Sequence, residues 1–313
     1  MNSAENKTSR WAVILAGGSG TRLQPLTRRM FGEGRPKQFC KLFGDRTLLG
    51  HTQARISRVI PPERTMCVVI KAHSSYYRQE LTGVASSGVL EQPIDRGTTA
   101  AIAYSLARIA AMEPAAVAGF FPADHYFADE DSFTASLNRA YRVADMSSDT
   151  LLLLGAQPDR PEVEYGWIEP GRELLRSGGP SLFRVNRFWE KPSAEVARGL
   201  LDRGCLWNTF VMIGRVRTFL AALKQSVPNV FRAFASGVDR MAGRFDADKI
   251  YSSLASGDFS KQVLSAFPDR LTVLRLDNVG WSDLGTPERV MAAVGGCAGN
   301  RIARFGTTPL TAA

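Results

Sequence analysis

The chain has 313 residues, of which 44% are hydrophobic and 22% charged. That is ordinary globular composition for one elaborated α/β domain, and it excludes disorder, collagen and coiled coil for the bulk of the chain. Lys and Arg number 39 against 30 Asp and Glu, a formal charge of +9; the surplus suits an anionic partner, but it is scattered, so charge alone does not choose among nucleic acid, acidic lipid and phosphorylated metabolites.

Residues 1–10 are polar and aperiodic and are expected to be disordered. Trp11 to Ala16 is a continuous apolar run emptying into Gly17-Gly18-Ser19-Gly20, which reads as a buried parallel strand entering a loop. Leu48, Leu49, Thr52, Ile56 and Val59 recur at helical spacing, stopped by Pro61-Pro62. Thr65 to Ile70 is a second strand, Thr98 to Met112 a helix, and Ala116 to Phe121 a third strand ending at Pro122-Ala123-Asp124-His125. Ser132 to Ala144 is a helix and Leu151 to Gly155 a fourth strand. Alternation of this kind implies βαβ crossovers and a mostly parallel sheet, with ligands beyond the carboxyl ends of the strands. Further on, Tyr165 to Glu169, Leu182 to Trp189, Leu206 to Ile213 and Leu271 to Leu276 read as strands. Helices are expected over 194–202, 216–224, 246–255 and 287–294.

Cys40, Cys67, Cys205 and Cys297 form no C-x-x-C pair and the three histidines are dispersed, so no metal cage is read and a reduced, cytoplasmic setting is expected. Trp11 to Ala16 is too short for the apolar core of a signal peptide. The small-residue stretch Thr99 to Ala123 is interrupted by Arg108, Glu113 and Pro114, which speaks against a membrane span.

The strongest chemical signal is Leu15-Ala-Gly-Gly-Ser-Gly-Thr-Arg-Leu-Gln-Pro-Leu-Thr27. A strand emptying into glycines and then a cation is what phosphate cradling needs, because consecutive backbone N–H groups form an anion nest. It is not a P-loop, for no Lys follows in register, and Leu23 stands where a dinucleotide fingerprint needs a small residue.

This segment resembles the signature loop of the sugar-1-phosphate nucleotidyltransferases, and Pro36-Lys37-Gln38-Phe39 is similar to its second half in mannose-1-phosphate guanylyltransferases. The resemblance continues in order through Gln92 to Thr98, Phe121 to His125, Glu164 to Gly171, Phe188 to Pro192, Trp207 to Phe210 and Gly280 to Gly285. It implies a Rossmann-like, mostly parallel α/β sheet with helices on both faces, in one domain over 11–295 with a nucleotide half (11–160) and a sugar half (161–295), then a tail over 296–313. The chain ends soon after Trp281, so the second domain of many relatives, with any isomerase activity, is expected to be absent.

The reaction implied is attack of mannose-1-phosphate on the α-phosphorus of GTP, giving GDP-mannose and pyrophosphate. Arg22 and Lys37 resemble the phosphate clamp, and Asp124 and Asp283 a shared Mg²⁺ site. Leu15, Ala16, Gly17, Gly18, Gly20, Thr21, Gln92, Gly97 and Thr98 would hold the nucleotide. Gly166, Glu190, Lys191 and Asn208 would hold the sugar phosphate, and His125 is expected to be structural. Alternatives are another nucleoside triphosphate and hexose-1-phosphate pair, or an inactive nucleotide-sugar-binding regulator. No nucleic acid or membrane partner is expected, and a homodimer is left open.

Two departures stand out. The stretch Arg28 to Arg35 reads as a long loop with a moving tip, and Gln92 stands where many guanylyltransferases carry Glu. The Gln92 amide can pair with guanine, uracil or thymine, and its flipped form with adenine, so on sequence grounds it discriminates poorly.

Overall fold

Nine strands form one mixed sheet whose first four members run parallel. The computed structural model describes residues 9–147, 149–175, 181–236 and 246–296. Most of the expected disordered N-terminus and C-terminal tail, residues 1–8 and 297–313, therefore lies outside the described residues, although strand β1 already opens at Arg10.

The elements follow in chain order. Strand β1 (Arg10–Leu15) leads through the glycine loop to helix α1 (Gln24–Phe31), then α2 (Leu48–Ser57) and β2 (Thr65–Ile70). Helix α3 (Ser74–Glu80), β3 (Val89–Gln92), α4 (Gly97–Met112) and β4 (Val117–Pro122) complete the parallel half. The short β5 (Tyr126–Phe127) precedes α5 (Glu130–Met146) and β6 (Leu151–Ala156). The second half holds β7 (Gly166–Leu175), β8 (Leu182–Glu190), α6 (Ala194–Asp202), β9 (Leu206–Arg215), α7 (Val216–Ser226) and α8 (Pro228–Ser236). Then come α9 (Ala247–Ser253), a π-helical turn over Ser260–Leu264, β10 (Leu271–Leu276), β11 (Trp281–Ser282) and α10 (Pro287–Gly296).

Strand order is β3-β2-β1-β4-β9-β6-β10-β8-β7. The chain leaves β1 toward β2 on one side and returns at β4 on the other. That reversal opens a crevice beyond the carboxyl ends of β1 and β4, where open α/β sheets bind ligands. Alternate side chains face opposite layers: Val13 and Phe120 pack with α4 and α7, whereas Ala12 and Phe121 pack with α5. Every residue of β6 is buried, which is why its sequence is a run of leucines.

Two differences from the sequence reading bear on function. The stretch expected as a long loop is helical to Phe31, with Pro25 in the first turn and Gly32 closing it at φ 76°. Arg35 then lies over the rings of Phe31 and Tyr76, at 5.3 and 5.4 Å. The ribbon of β5 and β11 is only two residues long on each side, below what periodicity can detect.

Candidate active site

The glycine loop leaves β1 with Ala16 donating its N–H to the Val68 carbonyl at 2.8 Å. Gly20 turns the chain at φ 59°, and a Cβ there would lie 3.1 Å from the Lys37 backbone nitrogen. The buried Gln38 amide donates to the carbonyls of Ala16 and Gly18, at 2.9 and 2.7 Å. These bonds brace two carbonyls of the loop from behind. Gln38 has this bracing role although the sequence reading gave it none.

Lys37 is buried at the loop's far side, its ammonium 3.2 Å from Asp124 Oδ2 and donating to the Asp283 carbonyl. Asp124 follows β4, and Asp283 follows β11. The ribbon sets Ser282 opposite Tyr126 and so carries Asp283 to the Asp124 loop. Asp283 Oδ1 accepts from Tyr165 Oη (3.0 Å), the Gly285 N–H (2.8 Å) and Arg289 Nη1 (2.9 Å), the bonding of a braced turn residue. Burial pushes its carboxyl up, but Lys37, His125, Arg289 and the Gly285 N–H together hold it below the usual range. Arg289 is buried, also pairs with Glu162 at 2.7 Å, and stacks over Tyr165.

His125, expected to be structural, lines the same cavity as Gln92 and Asp124. Burial lowers its pKa to about 4, so the ring is neutral. The Trp281 indole donates to its Nδ1 at 3.3 Å.

Among the residues expected to hold the nucleotide, Gln92 ends β3, nearly fully buried, with its Nε2 2.9 Å from where a Gly17 Cβ would stand. Gly97 has φ 76°, and a Cβ there would meet the Gly257 carbonyl at 2.3 Å, so only glycine fits. Thr98 Oγ1 accepts from the Phe259 N–H at 2.9 Å. Leu15, Gly17, Gly18, Gln92, Gly97 and Thr98 share the wall of a cavity of about 290 Å³.

On the opposite side, Gly166 pairs with Glu190 across β7 and β8. A Cβ on Gly166 would lie 3.0 Å from Glu190 Oε2 and 3.2 Å from Asn208 Cβ, so its bare backbone lets those two converge. Lys191 follows at φ 49°, its N–H donating to the Tyr165 carbonyl at 3.2 Å. Asn208 is buried, and its Oδ1 accepts from the Phe210 N–H at 3.1 Å. Burial and then Asp258 raise the Glu190 pKa to about 7, against the opposing pull of Lys191 and Lys261.

Gly20, Thr21, Arg22, Lys37, Asp124 and Gly285 line a second cavity of about 270 Å³, and Asp124 lines the first as well. Arg22 is half-exposed and ion-paired with Glu164, which precedes the Tyr165-Gly166 pair. The site thus has two recesses, the second of them cationic, with Asp124 shared between them and Lys37 in the second beside it. Two aspartates with hard oxygens fit a divalent ion that keeps several waters; among the described residues no cluster of three or more His, Cys, Asp or Glu offers a fuller cage. No helix among them is long and apolar enough to cross a membrane.

The chain as a whole resembles known proteins. The chain is similar to the xanthan biosynthesis protein XanB of Xanthomonas campestris pv. campestris strain B100, 31% identical over 88% of this chain and 57% of that one. It is 30% identical to a mannose-1-phosphate guanylyltransferase of Escherichia coli K12, over 88% of this chain and 58% of that one. It thus spans little more than half the length of these curated relatives. A crystal structure of a mannose-1-phosphate geranyltransferase from Thermus thermophilus superposes with a TM-score of 0.78 at 30% identity, covering 91% of this chain and 80% of that one. The Nucleotidyl transferase family model matches residues 11–296, all of the sheet but Arg10 and both recesses, and the chain belongs to that family.

Proposed function

We propose that this protein transfers a guanylyl group from GTP to mannose-1-phosphate, forming GDP-mannose and pyrophosphate. The observation that carries the reading is the shared position of Asp124, which lines both recesses and faces Lys37. The nucleoside lies in the recess of Gln92, Gly97 and Thr98, and its phosphates run along Gly17, Gly18, Gly20 and Thr21 toward Arg22. The mannose-type sugar lies over Gly166, with Glu190 and Asn208 accepting from its hydroxyls and Lys191 holding its phosphate. The names of the relatives support the sugar and the base.

A phosphate oxygen of the sugar-1-phosphate attacks the α-phosphorus, a new P–O bond forms, and the bond to the β-phosphate oxygen breaks in line. The attacking phosphate is already ionised at neutral pH, so no general base is required, in keeping with a neutral His125. Lys37 neutralises charge on the transferring phosphoryl group, and Arg22 exchanges Glu164 for the departing pyrophosphate. Asp124 and Asp283 would hold Mg²⁺, which supplies further charge neutralisation on the phosphates. A pyrophosphate-release assay over a grid of nucleoside triphosphates and hexose-1-phosphates tests this: the GTP and mannose-1-phosphate pair should give the highest kcat/KM and require a divalent cation. Absence of release with every pair would make the protein a non-catalytic binder.

A further inference from the structure

Gln92 is held on two sides by groups that the transfer reaction does not use. The Tyr251 hydroxyl donates to Gln92 Oε1 at 3.0 Å, and Gln92 Nε2 makes a long hydrogen bond of 3.5 Å to the Val69 carbonyl. Gln92 is 2% exposed and Tyr251 0%. The phenol ring is clamped edge-on by Tyr104 and Phe234, and Arg96 Nε donates to the Tyr251 carbonyl at 3.1 Å. Helix α9 therefore delivers one hydroxyl to the back of the base recess.

A carboxamide carries two lone pairs on oxygen and two hydrogens on nitrogen. Tyr251 takes one lone pair and Val69 one hydrogen. One lone pair and one hydrogen remain for a ligand, and Nε2 is the amide atom that faces Gly17 in the recess wall. A flip of the amide would turn Oε1 toward the Val69 carbonyl, acceptor against acceptor. It would also take from the buried Tyr251 hydroxyl hydrogen the acceptor it now has. The amide is thereby confined to one polarity.

We propose that Tyr251 and the Val69 carbonyl lock Gln92 so that the recess selects bases with adjacent N–H and keto groups and rejects amino bases. Guanine N1–H and O6, and uracil or thymine N3–H and O4, match the locked edge. Adenine N6–H and N1, and cytosine N4–H and N3, present the reverse order and need the flipped amide. Tyr251 acts here as a positioning residue, more than 150 residues from the side chain it orients. The inference rests on the nucleotidyl-transfer reading for its assignment of this recess to the base.

The test is equilibrium calorimetry of the full chain with inosine triphosphate and ATP, whose bases differ only in this keto or amino edge. The wild type should prefer inosine triphosphate by about tenfold or more. Tyr251→Phe keeps the clamped ring and should narrow that preference several-fold, mainly by tightening ATP. In a Gln92→Leu background the preference should vanish and Tyr251→Phe should change it no further. Equal affinities in the wild type, or a Tyr251→Phe variant that weakens both nucleotides by the same factor, overturn the lock. Selective binding without pyrophosphate release from any substrate pair would sink the transfer reading and leave the lock standing. A wild type that binds neither nucleotide overturns both.

Discussion

Ser282 lies opposite Tyr126 in the two-residue ribbon, and this pairing brings Asp283 to Asp124 across a sequence separation of more than 150 residues. The ribbon is short, but it is anchored from both ends. Trp281 packs edge-on against His125 and beside Tyr165, and the Ala128 N–H donates to the Val279 carbonyl at 2.9 Å. Lys37 then ties the two loops together, its ammonium lying 3.2 Å from Asp124 Oδ2 and donating to the Asp283 carbonyl.

Asp124→Asn and Asp283→Asn should each reduce kcat by about a hundredfold or more, with circular dichroism unchanged. Because both would act through one ion, the double variant should cost little more than either alone. Chelation should abolish activity in the wild type, and added Mg²⁺ should restore it. Additive losses in the double variant would separate the two residues into different roles.

Lys37→Ala should lower kcat by roughly a hundredfold with a small change in KM, because Lys37 is set beside the acidic pair at the junction of the recesses. Arg22→Ala should raise the KM for the triphosphate as well, since its half-exposed guanidinium stands at the recess mouth. Steady-state kinetics with both substrates varied separates these patterns, and an unchanged kcat in Lys37→Ala would leave Lys37 a purely structural ion-pair partner.

Much of the frame is legible in the sequence. Strands β2 and β10 coincide with their expected spans to the residue, because strands buried on both faces are mostly apolar along their length, with only Thr272 and Arg275 interrupting β10. Strand β3 escapes this reading, since it has four residues and only alternate ones are buried. Helix α1 escapes because Pro25 and a polar, basic composition look like loop. In the candidate site, the residues proposed to hold phosphate or sugar announce themselves by short local spacing. The residues that hold them in place do not. Gln38, Tyr165, Arg289 and Tyr251 owe their roles to contacts made only after the sheet has closed, and nothing adjacent to them in the chain encodes the partner.

Arg289→Met tests one of those holders. The substitution strips both Glu162 and Asp283 of their buried cation, and removing one member of a buried pair costs about 3–5 kcal/mol. Denaturant unfolding should show a loss of that order. Asp283 Oδ1 would also lose one of its three donors, so apparent Mg²⁺ affinity should fall roughly 10- to 100-fold. Unaltered metal dependence in a destabilised variant would confine Arg289 to folding.

Glu190 gives the clearest pH signature. Its carboxyl is raised from the ordinary glutamate range to about 7 by burial first and Asp258 second. The folded protein therefore binds this proton more tightly than the unfolded chain does. Stability must fall as pH rises from the unfolded value through about 7, and then level off. Glu190→Gln removes the titration, so the variant should gain stability relative to the wild type at pH 8 compared with pH 5. Activity should move the opposite way in the wild type. Only the carboxylate accepts from sugar hydroxyls at both oxygens, so kcat/KM for the sugar-1-phosphate should rise through neutral pH. Sugar phosphates titrate in a neighbouring range, and the Glu190→Gln profile isolates that contribution, because the substrate's ionisation persists in the variant and the enzyme's does not. Thermal unfolding and kinetics at the same pH values provide both readouts. Parallel pH profiles for wild type and Glu190→Gln would place the ionisation on the substrate and remove Glu190 from the sugar subsite.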